Sequence, residues 1–280
     1  MSAPAILVGN RTGGQGKTLI SQLIHCGYAY SGKPIDAVSA DSSEAGASSK
    51  LGRILGNVQE LGIGANISSV MENHHEAVRY WDQLGKRLLG GNCVIDLGAN
   101  ILPLIFQWAE QRNARRVLKG TPIALVIPVT AQAQSLADAV EMLQASREAE
   151  LPISNRYIVL NEYHGSFDRL LDNPDYAAIT KAARSHPTTV IKLPKAKVEV
   201  WDQIEAKNLS FEKLGRMAHP EWQKEFDINP FAASGSDIAY IKWVRGALEA
   251  FESAGLVPNF PRPDADGVFP GAQDDSTKAA

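Results

Sequence analysis

The sequence predicts an α/β fold of the doubly wound kind, a mostly parallel sheet flanked by helices, and three observations carry that expectation. Short apolar runs recur along the chain as far as Leu193, with stretches of helical period between them. Several of these runs, Val94-Ile95, Ala124-Leu125-Val126-Ile127 and Tyr157-Ile158-Val159-Leu160, are continuously apolar rather than alternating, as strands covered on both faces are. The chain also opens on Ala5-Ile6-Leu7-Val8, a glycine-rich stretch and the run Leu19-Ile20-Ser21-Gln22-Leu23-Ile24, which reads as strand, loop and helix.

Taken in order, strands are expected over 5–8, 35–39, 63–70, 92–97, 123–129, 157–160 and 189–193, with helices in the gaps, one of them over 44–55. Parallel strands need crossover connections, and these are right-handed. After Pro194 the pattern turns helical, over 198–206, 211–217 and 237–254. Trp201, Trp222, Phe226, Phe231, Trp243 and Phe251 lie in this part and are expected as core packing rather than as a subunit contact. From Pro258 onward Pro, Gly, Asp and Ser dominate, so a single domain over 1–257, C-terminal helices included, is expected to be followed by a flexible tail over 258–280. In such sheets ligands sit beyond the carboxyl ends of the strands, so the residues that follow each run are where chemistry is to be sought.

At 280 residues the chain suits one large α/β domain with a sizeable core. Its formal charge of −3 provides no global pull toward nucleic acid, so DNA contact would need a local patch or a partner. The densest basic group, Arg112, Arg115, Arg116 and Lys119, is read first as a solvated helix end and second as a DNA or partner contact. Cys26 and Cys93 stand far apart without metal or redox spacing, which suits buried thiols in a reducing compartment. No apolar run approaches the roughly 18 residues that span a bilayer, and the acidic C-terminal stretch would be repelled by anionic lipid. A cytoplasmic protein without a membrane partner is expected. His74-His75 with Glu72 and Glu76 is read as a solvated helix start, since neighbours on a helix point apart and no third ligand is placed.

The most specific segment is Gly9-Asn10-Arg11-Thr12-Gly13-Gly14-Gln15-Gly16-Lys17-Thr18. Glycines let successive N–H groups turn toward one point, the helix that follows adds its positive end, a lysine reaches β- and γ-phosphates, and a threonine hydroxyl can hold Mg²⁺. Arg11, Thr12, Gly13, Gly14, Gln15, Gly16, Lys17, Thr18 and Leu19 are therefore the candidate phosphate contacts. Asp96 ends the buried run Val94-Ile95-Asp96-Leu97-Gly98, across from this loop, where its carboxylate can hold Mg²⁺ directly or through water. Gly98 can bring its N–H toward a γ-phosphate.

The Gly-Gly-x-Gly-Lys-Thr stretch after an N-terminal strand resembles the deviant Walker A loop of ParA/MinD-type ATPases, a group that includes conjugation-associated TraL-like proteins. The resemblance covers about residues 5–200. It implies an ATPase that binds ATP with Mg²⁺ between two subunits, hydrolyses it slowly, and uses nucleotide state to control association with DNA or partner proteins in partitioning or conjugative transfer. It also implies that Asp96 is the Walker B acid, that Gly98 begins the second switch, and that Asp41 in Ala40-Asp41-Ser42 orients water or the Mg²⁺ shell. Asn161 then matches the residue that reads the base, and Pro194 a second segment of the base pocket. Thr12 departs from the pattern, because the family carries a lysine there that reaches across the dimer; Arg11 is the nearest cation. Two other readings share the loop: a small-molecule kinase or ligase resembling dethiobiotin synthetase, and a nucleotide-gated interaction module with little catalysis.

Overall fold

The computed structural model describes residues 3–41, 48–61, 74–185, 187–262 and 269, with backbone alone over 74–80 and at 185. Seven strands form one sheet: β1 (Ala5–Val8), β2 (Asp36–Ala40), β3 (Val58–Glu60), β4 (Cys93–Leu97), β5 (Ile123–Thr130), β6 (Ile153–Asn161) and β7 (Thr188–Leu193). Their spatial order is β3-β2-β4-β1-β5-β6-β7 and every pairing is parallel. The doubly wound parallel fold read from the sequence is the fold observed. The chain leaves β1 toward one edge, returns through β4, and then builds β5 to β7 on the other side. β1 is thus the switch point, where a doubly wound sheet opens its ligand crevice.

The helices are α1 (Lys17–Tyr30), α2 (Lys50–Leu55), α3 (His74–Gly90), α4 (Ile101–Gln111), α5 (Ala114–Val117), α6 (Ala133–Glu148), α7 (Pro174–Ser185), α8 (Trp201–Ala206), α9 (Phe211–Leu214), α10 (His219–Phe226) and α11 (Pro230–Ser253). The strand expected over 63–70 lies outside the described residues. β3 precedes it; its Val58 is half-buried and its Gln59 and Glu60 are exposed, so no apolar run announces them. The helix expected over 44–55 is described from Lys50, where the Ser49 hydroxyl accepts the Gly52 N–H at 2.9 Å.

The chain divides into two compact units, one holding the chain to Ser21 with Asp36–Lys195, the other Gln22–Ile35 with the chain from Ala196. In the first unit, strand residues alternate between two faces. Leu7, Ile95, Leu97, Val38, Ala40, Leu125, Val129 and Leu160 join one core cluster with residues of α3, α4, α6 and α7. By the two-residue period of a strand, Ser39, Asp96, Thr130 and Asn161 fall on the opposite face. That alternation sends several polar strand-end side chains to the side where α1 begins.

In the second unit an aromatic chain supplies the core. Trp201 meets Trp243 with ring centroids 5.0 Å apart, Phe211 lies 5.6 Å from Trp243, and Trp222 lies 5.5 Å from Tyr240. Trp201, Trp222, Phe226, Trp243 and Phe251 are buried as expected, whereas Phe231, in the first turn of α11, is 89% exposed. Phe260 and Phe269, within the stretch expected as a flexible tail, are both buried, and Phe269 stacks on Tyr30 at 4.3 Å. Among the described residues no helix is long and apolar enough to cross a membrane.

Candidate phosphate-binding site

Residues 9–16 leave β1 as an irregular loop and enter α1 at Lys17. Its curvature depends on two glycines with positive φ, Gly14 at 74° and Gly16 at 85°. A Cβ on Gly16 would also stand 2.4 Å from Asn161 Nδ2. The loop carbonyls are taken one after another: Arg11 O accepts from the Asn100 N–H at 2.8 Å, Thr12 O from Lys17 Nζ at 2.7 Å, and Gly13 O from Gln15 Nε2 at 3.0 Å. Gln15 O accepts from Asn161 Nδ2 at 3.3 Å, and Gly16 O from the Ile20 N–H at 3.0 Å. Among the described residues the backbone N–H groups of 13–18 have no protein acceptor. Carbonyls drawn outward and amides left over are what an anion cradle requires.

Side chains anchor the loop to β5 and α6. The Asn10 amide is fully buried, donates to Pro128 O at 2.8 Å and accepts the Arg11 N–H at 2.7 Å. Gln15 is 4% exposed, and its Oε1 accepts from Thr130 Oγ1 at 2.8 Å and from Ser135 Oγ, while its Nε2 also donates to Thr12 Oγ1 at 3.0 Å. Arg11 is exposed and pairs with Glu141 at 2.7 Å.

Asp96 sits at the end of β4 with 6% of its surface exposed. Thr18 Oγ1 donates to its Oδ2 at 2.8 Å and Ser21 Oγ to its Oδ1 at 3.1 Å. Burial pushes its pKa up to about 6, against the opposing pull of the Thr18 and Ser21 hydroxyls and of Lys17. Burial lowers the pKa of Lys17, with Asp96 and Asp41 acting in the opposite direction. Asp41 follows β2 and lies within electrostatic reach of both residues. Lys17, Thr18, Asp96 and Asp41 therefore share one locale. Ser39, paired in register with Asp96, has a buried hydroxyl that finds no partner among the described residues. One carboxylate, two or three hydroxyls and a nearby second carboxylate are the hard oxygen donors that suit Mg²⁺ and its waters. Among the described residues no group of three or more His, Cys, Asp or Glu is placed to share a metal.

Other expected residues fall as follows. The Gly98 N–H donates to Ala40 O at 3.1 Å. Asn161, 4% exposed, turns Nδ2 to the loop and accepts the Tyr163 N–H on Oδ1 at 3.2 Å. Pro194 is exposed beyond the end of β7, and Leu19 lies half-buried in the first turn of α1. Arg112 is held by Asp82 through two hydrogen bonds, of 3.0 and 2.7 Å, and Arg115 pairs with Glu150 at 3.3 Å. The sequence assigns no role to Ser21, Asn10, Thr130 or Ser135. Ser21 had a signal, since it lies one turn beyond Thr18 on the same helix face.

No protein-family model and no curated protein matches this chain. Solved structures similar to it include a ParA family ATPase from Chlorobium tepidum, at 15% identity and a TM-score of 0.48 over 87% of this chain and 98% of that one. Another is the ATP complex of a single-residue variant of McdA from Cyanothece, at 15% identity and a TM-score of 0.43 over 84% of this chain and 98% of that one. A third is the septum site-determining protein MinD complexed with Mg-ADP from Pyrococcus horikoshii, at 17% identity and a TM-score of 0.45 over 86% and 96% of the two chains.

Proposed function

We propose that this chain is an ATPase that binds Mg²⁺-ATP on the loop between β1 and α1, and that its nucleotide state controls pairing with a second copy and association with DNA or a partner protein. The observation that carries the reading is the loop itself: amides of 13–18 that have no acceptor among the described residues, beside a lysine and a buried carboxylate. Partitioning or conjugative transfer is the cellular setting that the sequence resemblance suggests.

Each residue has a role that its chemistry allows. The loop amides and Lys17 bind the phosphate oxygens and stabilise charge that grows on them during transfer. Lys17 first has to leave the Thr12 carbonyl, a bond that a phosphate oxygen replaces with a stronger, charge-assisted one. Thr18 and Asp96 would hold Mg²⁺, which when bound neutralises charge on the phosphoryl oxygens. Asp41 accepts a hydrogen bond from the attacking water and orients it.

The test is calorimetry of Mg²⁺-ATP on the purified chain and on Lys17→Ala. Wild type should take up nucleotide, and the variant should lose roughly a hundredfold or more in affinity while keeping its circular dichroism, as loss of a buried charged contact implies. Equal affinity in the two proteins would sink the assignment of this loop.

A further inference from the structure

We propose that Gln15 is the positioning residue of the phosphate site, a side chain that touches no ligand yet holds the loop in its binding curvature by tying it to β5 and α6. The inference rests on the reading of residues 13–18 as a phosphate cradle. In such a cradle the main chain makes the contacts, so the residue between the glycines is free to carry almost any side chain. Here it carries a long amide that is buried, and burial of an amide is costly unless all its groups are bonded.

They are all bonded. Nε2 donates to Thr12 Oγ1 and to Gly13 O, both at 3.0 Å, and Oε1 accepts from Thr130 Oγ1 and Ser135 Oγ. Two donors and two acceptor sites are the full capacity of a glutamine amide. The Ser135 hydroxyl fixes which end of the amide faces it. Ser135 Oγ accepts the Thr130 N–H at 2.9 Å, so its own proton is left to donate, and only Oε1 can receive it. The Nε2 end is then aimed back at the loop, where it draws the Gly13 carbonyl outward. A peptide unit held by its carbonyl also has its N–H side fixed, so the amides that follow are presented together toward one point.

The consequence is preorganisation. A loop that is held before the ligand arrives loses less ordering entropy on binding, and its loosening shows as lost affinity rather than lost fold. Gln15→Ala removes the tie and leaves a void; Gln15→Met fills the same space and removes only the hydrogen bonds. Binding of Mg²⁺-ATP and of inorganic tripolyphosphate is measured on wild type, on both variants, on Thr130→Val and on Gln15→Met with Thr130→Val. Gln15→Met should weaken both ligands by about tenfold, the size expected for lost hydrogen-bond ties. Thr130→Val should cost less. The double variant should bind like Gln15→Met alone, since the hydroxyl then has no loop to hold.

A merely structural role would lower the melting temperature and leave the non-additivity and the shared loss for tripolyphosphate unexplained. Gln15→Met binding both ligands within about twofold of wild type would overturn the inference while leaving the phosphate site intact. Wild type binding neither ligand would overturn the site and this inference with it.

Discussion

Asp96 is a carboxylate placed where burial opposes its charge, and that conflict has a measurable sign. Its folded pKa, raised to about 6 from 3.8, means that the ligand-free folded protein holds this proton more tightly than the unfolded chain does. The favourable contribution is therefore fully present below about pH 4 and fades as pH rises toward 6. Asp96→Asn, neutral at every pH, should raise the stability of the ligand-free protein at pH 7.5 by about 1–3 kcal/mol and flatten its pH dependence between 4 and 6, read by denaturant melts in chelator. The same variant should lose Mg²⁺-dependent nucleotide binding. An unchanged melt would mean that water reaches the carboxylate and that burial does not strain it. Lys17, Thr18 and Asp96 were legible in the sequence because each sits at a fixed offset from a strand or a glycine. Ser135 was not, since a serine inside a helix carries no signal until the partner it faces is known, whereas Ser21 could have been found from its place one turn beyond Thr18.

At the scale of elements, β1 with its loop and α1 was the most legible piece, because an apolar run, glycines and a periodic stretch agree with one another. β3 was hidden because it is three residues long and two of them, Gln59 and Glu60, are polar and exposed, and α10 by its lack of a long apolar stripe. α11 begins at Pro230, seven residues before the expected start at 237; Asn229 caps it by accepting from the Phe231 and Ala232 N–H groups at 3.0 Å. That cap and the proline after it were readable, but Gly235 and the serines beyond them favoured a loop. The junction of loop, α1 and β6 supports a sharper prediction at Gly16. An alanine there meets both a φ of 85° and the Asn161 amide at 2.4 Å. Gly16→Ala should cost about 1–3 kcal/mol of stability and at least tenfold in Mg²⁺-ATP affinity. Adding Asn161→Ala removes the clash but not the backbone strain, so the pair should recover part of the melting temperature and none of the fully relaxed loop. A Gly16→Ala protein with wild-type melting and binding would refute the loop geometry.

For the whole molecule, the two buried thiols are reporters of opening, one in each compact unit: Cys93 on β4 in the first, Cys26 on α1 in the second. Burial pushes their pKa values up to about 11 and about 12, so little thiolate exists at pH 8 and the native protein should react slowly with a thiol reagent. Labelling then follows the rare open forms, whose population falls by the factor 1 + [L]/Kd for a ligand that binds only the folded state. Mg²⁺-ATP at about a hundred times its Kd should slow the labelling of Cys93 about a hundredfold, since Cys93 and Asp96 share one strand. Cys26 should slow as well, because Lys17, Thr18 and Cys26 lie on one continuous helix whose first turn the ligand holds. Mass spectrometry of the two labelled peptides separates the rates. Protection of neither thiol would mean that nucleotide does not stabilise the folded state, and protection of Cys93 alone would mean that α1 opens beyond Ser21 while its first turn stays closed on the ligand.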